Sequence, residues 1–339
     1  RAGEKVLCLA GCLTPQTSAQ IAFAEATGCP VLTLGTTELF DSARREKEME
    51  RLREAYREHR NSEMVVLRTC SEPEQIRRTK ELAAERGISA PAAATAVSDA
   101  LAGLAASAKQ GGVDISLLLP IATSAKPSHS INDFAAAADK LPGLRSFGSV
   151  HPLSPAWGEE LERLRELGLR GIKLHPEYQG CYVDAPETVA VVRAAGELGL
   201  WVVFHAGADV GMEPPFHCTP GRAARLRDAA PDTRIVLAHL GGDWMWEEAL
   251  HTLKGMDFYY DTSRAIPEHP ERWDLFGDMI RTFGPDRILF GTDSPWTEQR
   301  YAVEQMRVFL EKQRFTPAES AAILGGNAAS ILQIREDPI

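Results

Sequence analysis

The sequence predicts an α/β protein: a (β/α)8 TIM-barrel-like domain with an incomplete or replaced first strand over residues 111–339, preceded by a small α/β segment over residues 1–110. Two observations predict the barrel. From residue 113 onward, short apolar runs at 115–119, 144–150, 171–174, 201–204, 235–238, 258–260 and 288–290 alternate with amphipathic stretches such as 159–167, 187–198 and 222–229. Near-continuous apolar strands alternating with helices imply a parallel sheet covered by helices. In addition, four of the runs end on polar, ligand-type residues, in GIKLHP, WVVFHAG, IVLAHLGG and ILFGTDSPW. Side chains of this kind at strand ends collect at one rim of a barrel, where such folds build their sites. The runs number seven, so a complete barrel needs one more strand.

The segment before residue 110 reads as strand at 6–10, helix at 17–27, strand at 31–34, a long charged helix at 41–59 and a strand at 64–70. Pro73 opens a helix over 74–86 that Gly87 stops, an Ala-rich helix follows at 92–108, and Gly111-Gly112 marks the boundary. In the helix at 41–59, Arg44, Arg45, Lys47, Arg51, Arg53 and Arg57 interleave with Glu46, Glu48, Glu50, Glu54 and Glu58, the pattern of a solvated face rather than a basic patch.

A formal charge of -10 with no concentrated basic surface argues against nucleic-acid and membrane partners and leaves a small molecule as the expected ligand. The six cysteines show no C-x-x-C and no framework spacing, so reduced thiols and a cytoplasmic location are expected. The run before Leu9-Ala10-Gly11-Cys12 is too short for a lipoprotein signal, and Asp99 with several Ser and Thr interrupts the Ala-rich span as a membrane helix.

The strand ends offer Lys173, His175, His205, His239 and Asp293. Residues two apart in a strand share a face, so Lys173 and His175 point the same way. Imidazoles and a carboxylate at one rim can hold a divalent ion, zinc or manganese, lower the pKa of its bound water and leave a base to move the proton. His151 in GSVHP and His217 in FHCTP are candidates for substrate contact, as is Trp296 beside Asp293, whereas His59, His251 and His269 read as surface residues. Trp157, Trp244 and Trp246 lie near element ends and are expected to pack.

Residues 111–332 resemble the amidohydrolase-related proteins, the branch that includes aminocarboxymuconate-semialdehyde-decarboxylase-like enzymes, through GVDISLLLPIAT, GIKLHPEYQG, FHAGADVG, HCTP, LAHLGG, ILFGTDSPW and ILGGNAASIL in order. The resemblance implies a metal-dependent barrel. Within it, His205 binds metal, Asp293 binds metal or takes the proton of a water, and His239 polarises substrate or water. The family's first strand carries H-x-H, two further ligands, and no two of the nine histidines here stand in that relation. His175 or His151 is then expected to assist. Lys173 is expected to pair with a carboxylate or touch substrate rather than bridge two metals.

The opening segment resembles the start of the nucleotide-binding C-terminal domain of four-carbon acid sugar kinases. Where that family has G-S-x-S-x-x-T-x-x-Q, this chain has Gly11, Cys12, Thr14, Thr17 and Gln20, with both serines replaced. The glycine-rich loop whose amides help hold phosphates is absent, so ATP-dependent phosphorylation is not expected. The leading reading is metal-assisted hydrolysis of a small polar organic substrate. Non-oxidative decarboxylation at the same site and a non-catalytic ligand-binding remnant are the alternatives. A strand at 64–70 could fill the vacant barrel position; if nothing does, the unpaired edges favour a homodimer.

Overall fold

The computed structural model describes residues 6–10, 25, 30–35, 37–38, 41–58, 64–69, 113–126, 128–141, 143–209, 212–294, 297 and 299–334. The helices expected at 74–86 and 92–108, the boundary at 111–112, most of the helix at 17–27 and Trp296 lie outside these residues. The chain forms two compact units.

The first unit contains a parallel three-stranded sheet of β1 (Val6–Ala10), β2 (Val31–Leu34) and β3 (Met64–Thr69) in the order β1-β3-β2. Because β3 has β1 on one edge and β2 on the other, it has no edge left to donate to a barrel. This strand therefore does not serve as the first strand of the barrel. Helix α1 (Ser42–Glu58) starts where Asp41 Oδ1 accepts the N–H groups of Ala43 and Arg44, satisfying two donors that a helix start leaves open. Its exposed face carries Arg44, Glu46, Lys47, Arg51, Glu54 and Glu58, as the interleaved charges predict. Glu48 faces inward instead, accepting from the Gly35 N–H at 2.7 Å and from Arg51.

In the second unit, β6 (Gly171–Leu174), β7 (Trp201–Phe204), β8 (Ile235–Leu237), β9 (Tyr259–Asp261) and β10 (Ile288–Leu289) form one parallel sheet in sequence order. Two earlier runs, β4 (Ser116–Leu118) and β5 (Leu144–Ser146), make a separate two-stranded sheet. The bridge Gly148↔Ile172 carries chain from beyond β5 alongside β6. Strand alternation sorts the side chains onto two faces. Ile172, Leu174, Val202, Phe204, Ile235, Leu237, Tyr260 and Ile288 join the large core under the helices. Trp201, Val203 and Val236 pack with Phe147 and Leu332 on the other face, with Tyr259 and Leu289 partly buried against them. A sheet with helices on one face and a filled interior on the other is the layout of a β/α barrel.

The covering helices begin where the sequence supplies proline at the first helical position: α4 (Pro176–Gln179), α5 (Pro186–Glu197) and α6 (Pro220–Ala229), after α2 (His129–Ala138) and α3 (Trp157–Glu166). Where ladder pairing fails near the rim, side chains take over. Asn132 accepts from the Ser149 N–H at 2.8 Å and donates to the Ser149 carbonyl at 2.9 Å, while the Ser149 hydroxyl donates to the Lys173 carbonyl at 2.7 Å. The buried Gln179 amide donates to the carbonyls of Ala122 and Val150, both at 2.9 Å. Buried backbone groups left unpaired would cost about 1–3 kcal/mol each.

Candidate metal centre

His175 and His205 occupy equivalent places, one residue beyond the paired positions Leu174↔Phe204 of adjacent strands. Their rings stack with centroids 4.3 Å apart, and Tyr178 stacks on the other side of His175 at 3.7 Å. The His175 N–H donates to Gln179 Oε1 at 3.0 Å, so Gln179 fixes this histidine to the same strand ends it ties together. Lys173 lies on the interior face of β6, since Ile172 and Leu174 belong to the helix-facing core. Burial depresses the Lys173 ammonium pKa, opposed by the charges of Asp261 and Asp293.

A chain of hydrogen bonds sets the tautomers. The Ser263 hydroxyl donates to Asp261, and His239 Nδ1 lies 2.9 Å from that hydroxyl oxygen and 3.2 Å from the Ser263 carbonyl. With acceptors on that side, Nδ1 of His239 carries the proton, leaving Nε2 to accept. Nε2 stands 3.1 Å from His205 Nδ1, which donates. The lone pair of His205 is thereby assigned to Nε2, which is buried and has no hydrogen-bond partner. An orienting partner on one ring nitrogen leaves the other available to a ligand.

His239 is held in a left-handed backbone conformation, φ 57°, by its N–H to Asp261 at 3.1 Å and by Trp246 Nε1 donating to its carbonyl at 3.1 Å. The left-handed region is uncommon for a residue with a Cβ and gathers at functional sites. Arg264 and Asp293, also at strand ends, share a positive φ.

Asp209 completes a cluster with the two stacked histidines: one ligand atom from each of His175, His205 and Asp209 lies within 4.8 Å of the others. Asp209 Oδ2 and His175 Nδ1 are buried without hydrogen-bond partners, like His205 Nε2. Burial raises the Asp209 carboxyl to about 6, against a hydrogen bond from Tyr178 and the positive charge of Arg264. The loop carrying it turns at Gly207, φ 91°, where a Cβ would stand 2.1 Å from the Asp243 N. On His175 it is Nε2 that faces Asp209 Oδ2, at 3.8 Å, while Nδ1 is the nitrogen without a partner. Two imidazoles and a carboxylate grouped in this way suit a divalent ion.

The remaining sequence candidates divide. His151 is buried, accepting from the Leu153 N–H at 3.2 Å and bonding to the Gln179 backbone, so both sides of its ring are engaged in the rim. The two oxygens of Glu177 hold the backbone N–H and ring Nδ1 of His217. Asp293 follows β10, and its charge bears on Lys173 and Asp209, but it is not in the cluster with the histidines. The sequence reading missed Asp209, Gln179, Ser263 and Glu177. All but Ser263 lie in the motifs FHAGADVG and GIKLHPEYQG, where the spacing of four between His205 and Asp209 was the available signal.

Residues 83–334 match the sequence profile of the amidohydrolase family. The chain belongs to the amidohydrolase family. Residues 7–119 of this amidohydrolase match a second profile, that of a nucleotide-binding C-terminal domain. No curated protein matches the chain. Among solved structures it is similar to 5-carboxyvanillate decarboxylase from Sphingomonas paucimobilis, with 24% identity, 68% of this chain and 82% of that chain covered, and a TM-score of 0.53. It is also similar to an amidohydrolase from Burkholderia multivorans, at 15% identity, 70% and 88% coverage and a TM-score of 0.54. An uncharacterised TIM-barrel protein from Bordetella bronchiseptica is 20% identical, with 72% and 85% coverage and a TM-score of 0.52. These likenesses place the amidohydrolase in the barrel fold that its strand rhythm predicts.

Proposed function

We propose that this amidohydrolase hydrolyses a small polar organic substrate with the help of one divalent metal ion, zinc by the nitrogen-rich donor set, held by His175, His205 and a carboxylate at the same rim. One observation carries the reading: the side-by-side rings of His175 and His205 present buried, unpartnered nitrogens at adjacent strand ends. A bound ion there supplies a Lewis acid that polarises the substrate and makes water a better nucleophile near neutral pH.

The chain's own groups do the rest. His239 orients His205 through their shared hydrogen bond and stands beside the reacting space to polarise substrate. Asp293 is the base for the proton that leaves the attacking water. His217, held through Nδ1 by Glu177, keeps its other ring nitrogen for substrate. The family's H-x-H is missing, so the site relies on ligands from later strands. A second reading, loss of carbon dioxide from a substrate carboxylate, is favoured by Lys173: an ammonium on the interior face could offset that carboxylate's charge.

No helix among the described residues is long and apolar enough to cross a membrane, and Cys181 and Cys218 are free, which suits a cytoplasmic enzyme. The test is turnover of a panel of small amides, lactones and hydroxybenzoic acids by untagged protein, before and after chelation. We expect activity that chelation removes and zinc restores. Hydrolysis products support the first reading and released carbon dioxide the second, whereas metal-loaded protein inert toward the whole panel would support a non-catalytic remnant.

A further inference from the structure

We propose that a cavity at the end of the barrel opposite the metal centre binds a phosphoryl group, as the free ion or as a small monoester. The cavity, of about 200 Å³, lies where three strands begin: Arg170 precedes β6, Leu200 precedes β7 and Arg234 precedes β8, and all three line it. Gln333, just past the last helix (Asn327–Leu332), closes one side. The four residues of β6 or β7, at ~3.3 Å each, set it about 13 Å from His175 and His205, so the site does not rest on the metal-dependent reading. Pockets for drug-sized ligands hold roughly 300–1,000 Å³. This one takes a smaller occupant.

Charge selects the class of that occupant. Arg165, Arg170 and Arg234 line the cavity and no acidic residue does, in a chain whose Asp and Glu outnumber its Lys and Arg by 47 to 37. Among the described residues, none of the three guanidinium groups forms an ion pair. Two of them are already held in place. Arg234 Nη2 donates to the Gly199 carbonyl at 2.7 Å, with the guanidinium carbon 4.9 Å from the centre of the Trp201 ring, and Arg170 Nη1 donates to Gln333 Oε1 at 2.6 Å. A guanidinium has five N–H donors, so each keeps most of its fork unspent, and a fork fixed beforehand loses little freedom when it meets an oxyanion. The opposing charge is smaller. Helices α3 and α5 finish in Gly168 and Gly199, which line the cavity, and each C-terminus contributes about half a negative charge against three full positive ones. A dianion with three or more free oxygens answers three forks from separate places in the chain better than a carboxylate with two.

The experiment titrates untagged protein with inorganic phosphate, and in parallel with glycerol 3-phosphate, by isothermal calorimetry at constant ionic strength. Each titration is run on zinc-loaded and on chelator-treated protein, because phosphate can also bind a metal. Expected is one phosphate per chain with a Kd of about 1 mM or below, the same in both metal states. Arg165→Gln is expected to weaken binding at least ~3-fold, and Arg165→Gln combined with Arg170→Gln at least ~10-fold, with circular dichroism establishing that each variant is folded. Arg307→Gln removes an exposed positive charge outside the cavity and is expected to leave binding within about two-fold of wild type. Equal weakening by Arg307→Gln would reduce the effect to net charge and overturn the site. Binding that disappears with the metal, or no binding at millimolar phosphate, would overturn it as well. Within a positive result, the monoester bound as tightly as phosphate extends the site to esters, and phosphate bound alone identifies the free ion.

Discussion

At the scale of single residues, the site depends on who donates to whom. Asp261 accepts from Ser263, Ser263 faces Nδ1 of His239, and Nε2 of His239 accepts from His205, so one carboxylate two hydrogen-bonded groups away decides which nitrogen of His205 is free. Removing the acceptor strands a buried N–H and frees the ring to turn. His239→Ala is therefore expected to weaken zinc binding about 10–100-fold without abolishing it, whereas His205→Ala abolishes it. Equal affinity of His239→Ala and wild type would show that the relay does not tune His205. His205 and His239 were legible in the sequence because each closes an apolar run at a repeating position. Asp209 was not, because a carboxylate four residues past a strand, after a glycine, is also what any solvated loop contains. Only the burial of its oxygen distinguishes it.

At the scale of elements, turns and helix ends decide where those residues stand. The loop between β7 and α6 approaches the segment at 242–243 so closely that Gly207 admits no side chain, with a positive φ as a second obstacle. Gly207→Ala is expected to cost about 3 kcal/mol or more through overpacking and backbone strain, read as a lower urea midpoint, and to reduce metal retention with it. A midpoint equal to wild type would mean the loop reaches its place by another route. Between α4 and α5, Asp184 accepts from Arg222 at 2.8 Å and Arg225 at 2.7 Å, fastening α6. Burial alone would raise the Asp184 carboxyl, but the two guanidinium hydrogen bonds outweigh it and hold the group below its ordinary value. A carboxyl depressed in the folded state contributes stability above its unfolded pKa, about 3.9, and loses it as pH falls through the folded value. Asp184→Asn should thus lower stability at pH 6 and flatten the loss of stability between pH 5 and pH 3. An unchanged acid slope would remove Asp184 from the account. The helices expected at 187–198 and 222–229 were legible from their alternation with apolar runs, and they start one and two residues earlier, at Pro186 and Pro220. The side-chain ties of Asn132, Ser149 and Gln179 were not, since their partners are backbone groups remote in sequence.

For the whole molecule, the strand rhythm announces a parallel barrel, and the family match over residues 83–334 bears it out. Apolar runs report burial on both faces, and burial on both faces requires helices outside and a filled interior. Strand partnership is harder to read. The run at 64–70 has the length and composition of a barrel strand, yet it pairs with β1 and β2, because local parallel neighbours compete for the same edges and composition does not rank them. The proposed ligands His175 and His205 directly follow the paired positions Leu174↔Phe204 of β6 and β7, so their placement does not depend on a first barrel strand. The most direct test of this is X-ray absorption at the zinc edge of zinc-loaded, untagged protein. A first shell of nitrogen and oxygen at about 2.0–2.2 Å with the outer-shell scattering of two imidazoles is expected, and a shell containing thiolate sulfur, or fewer than two imidazoles, would contradict the proposed site.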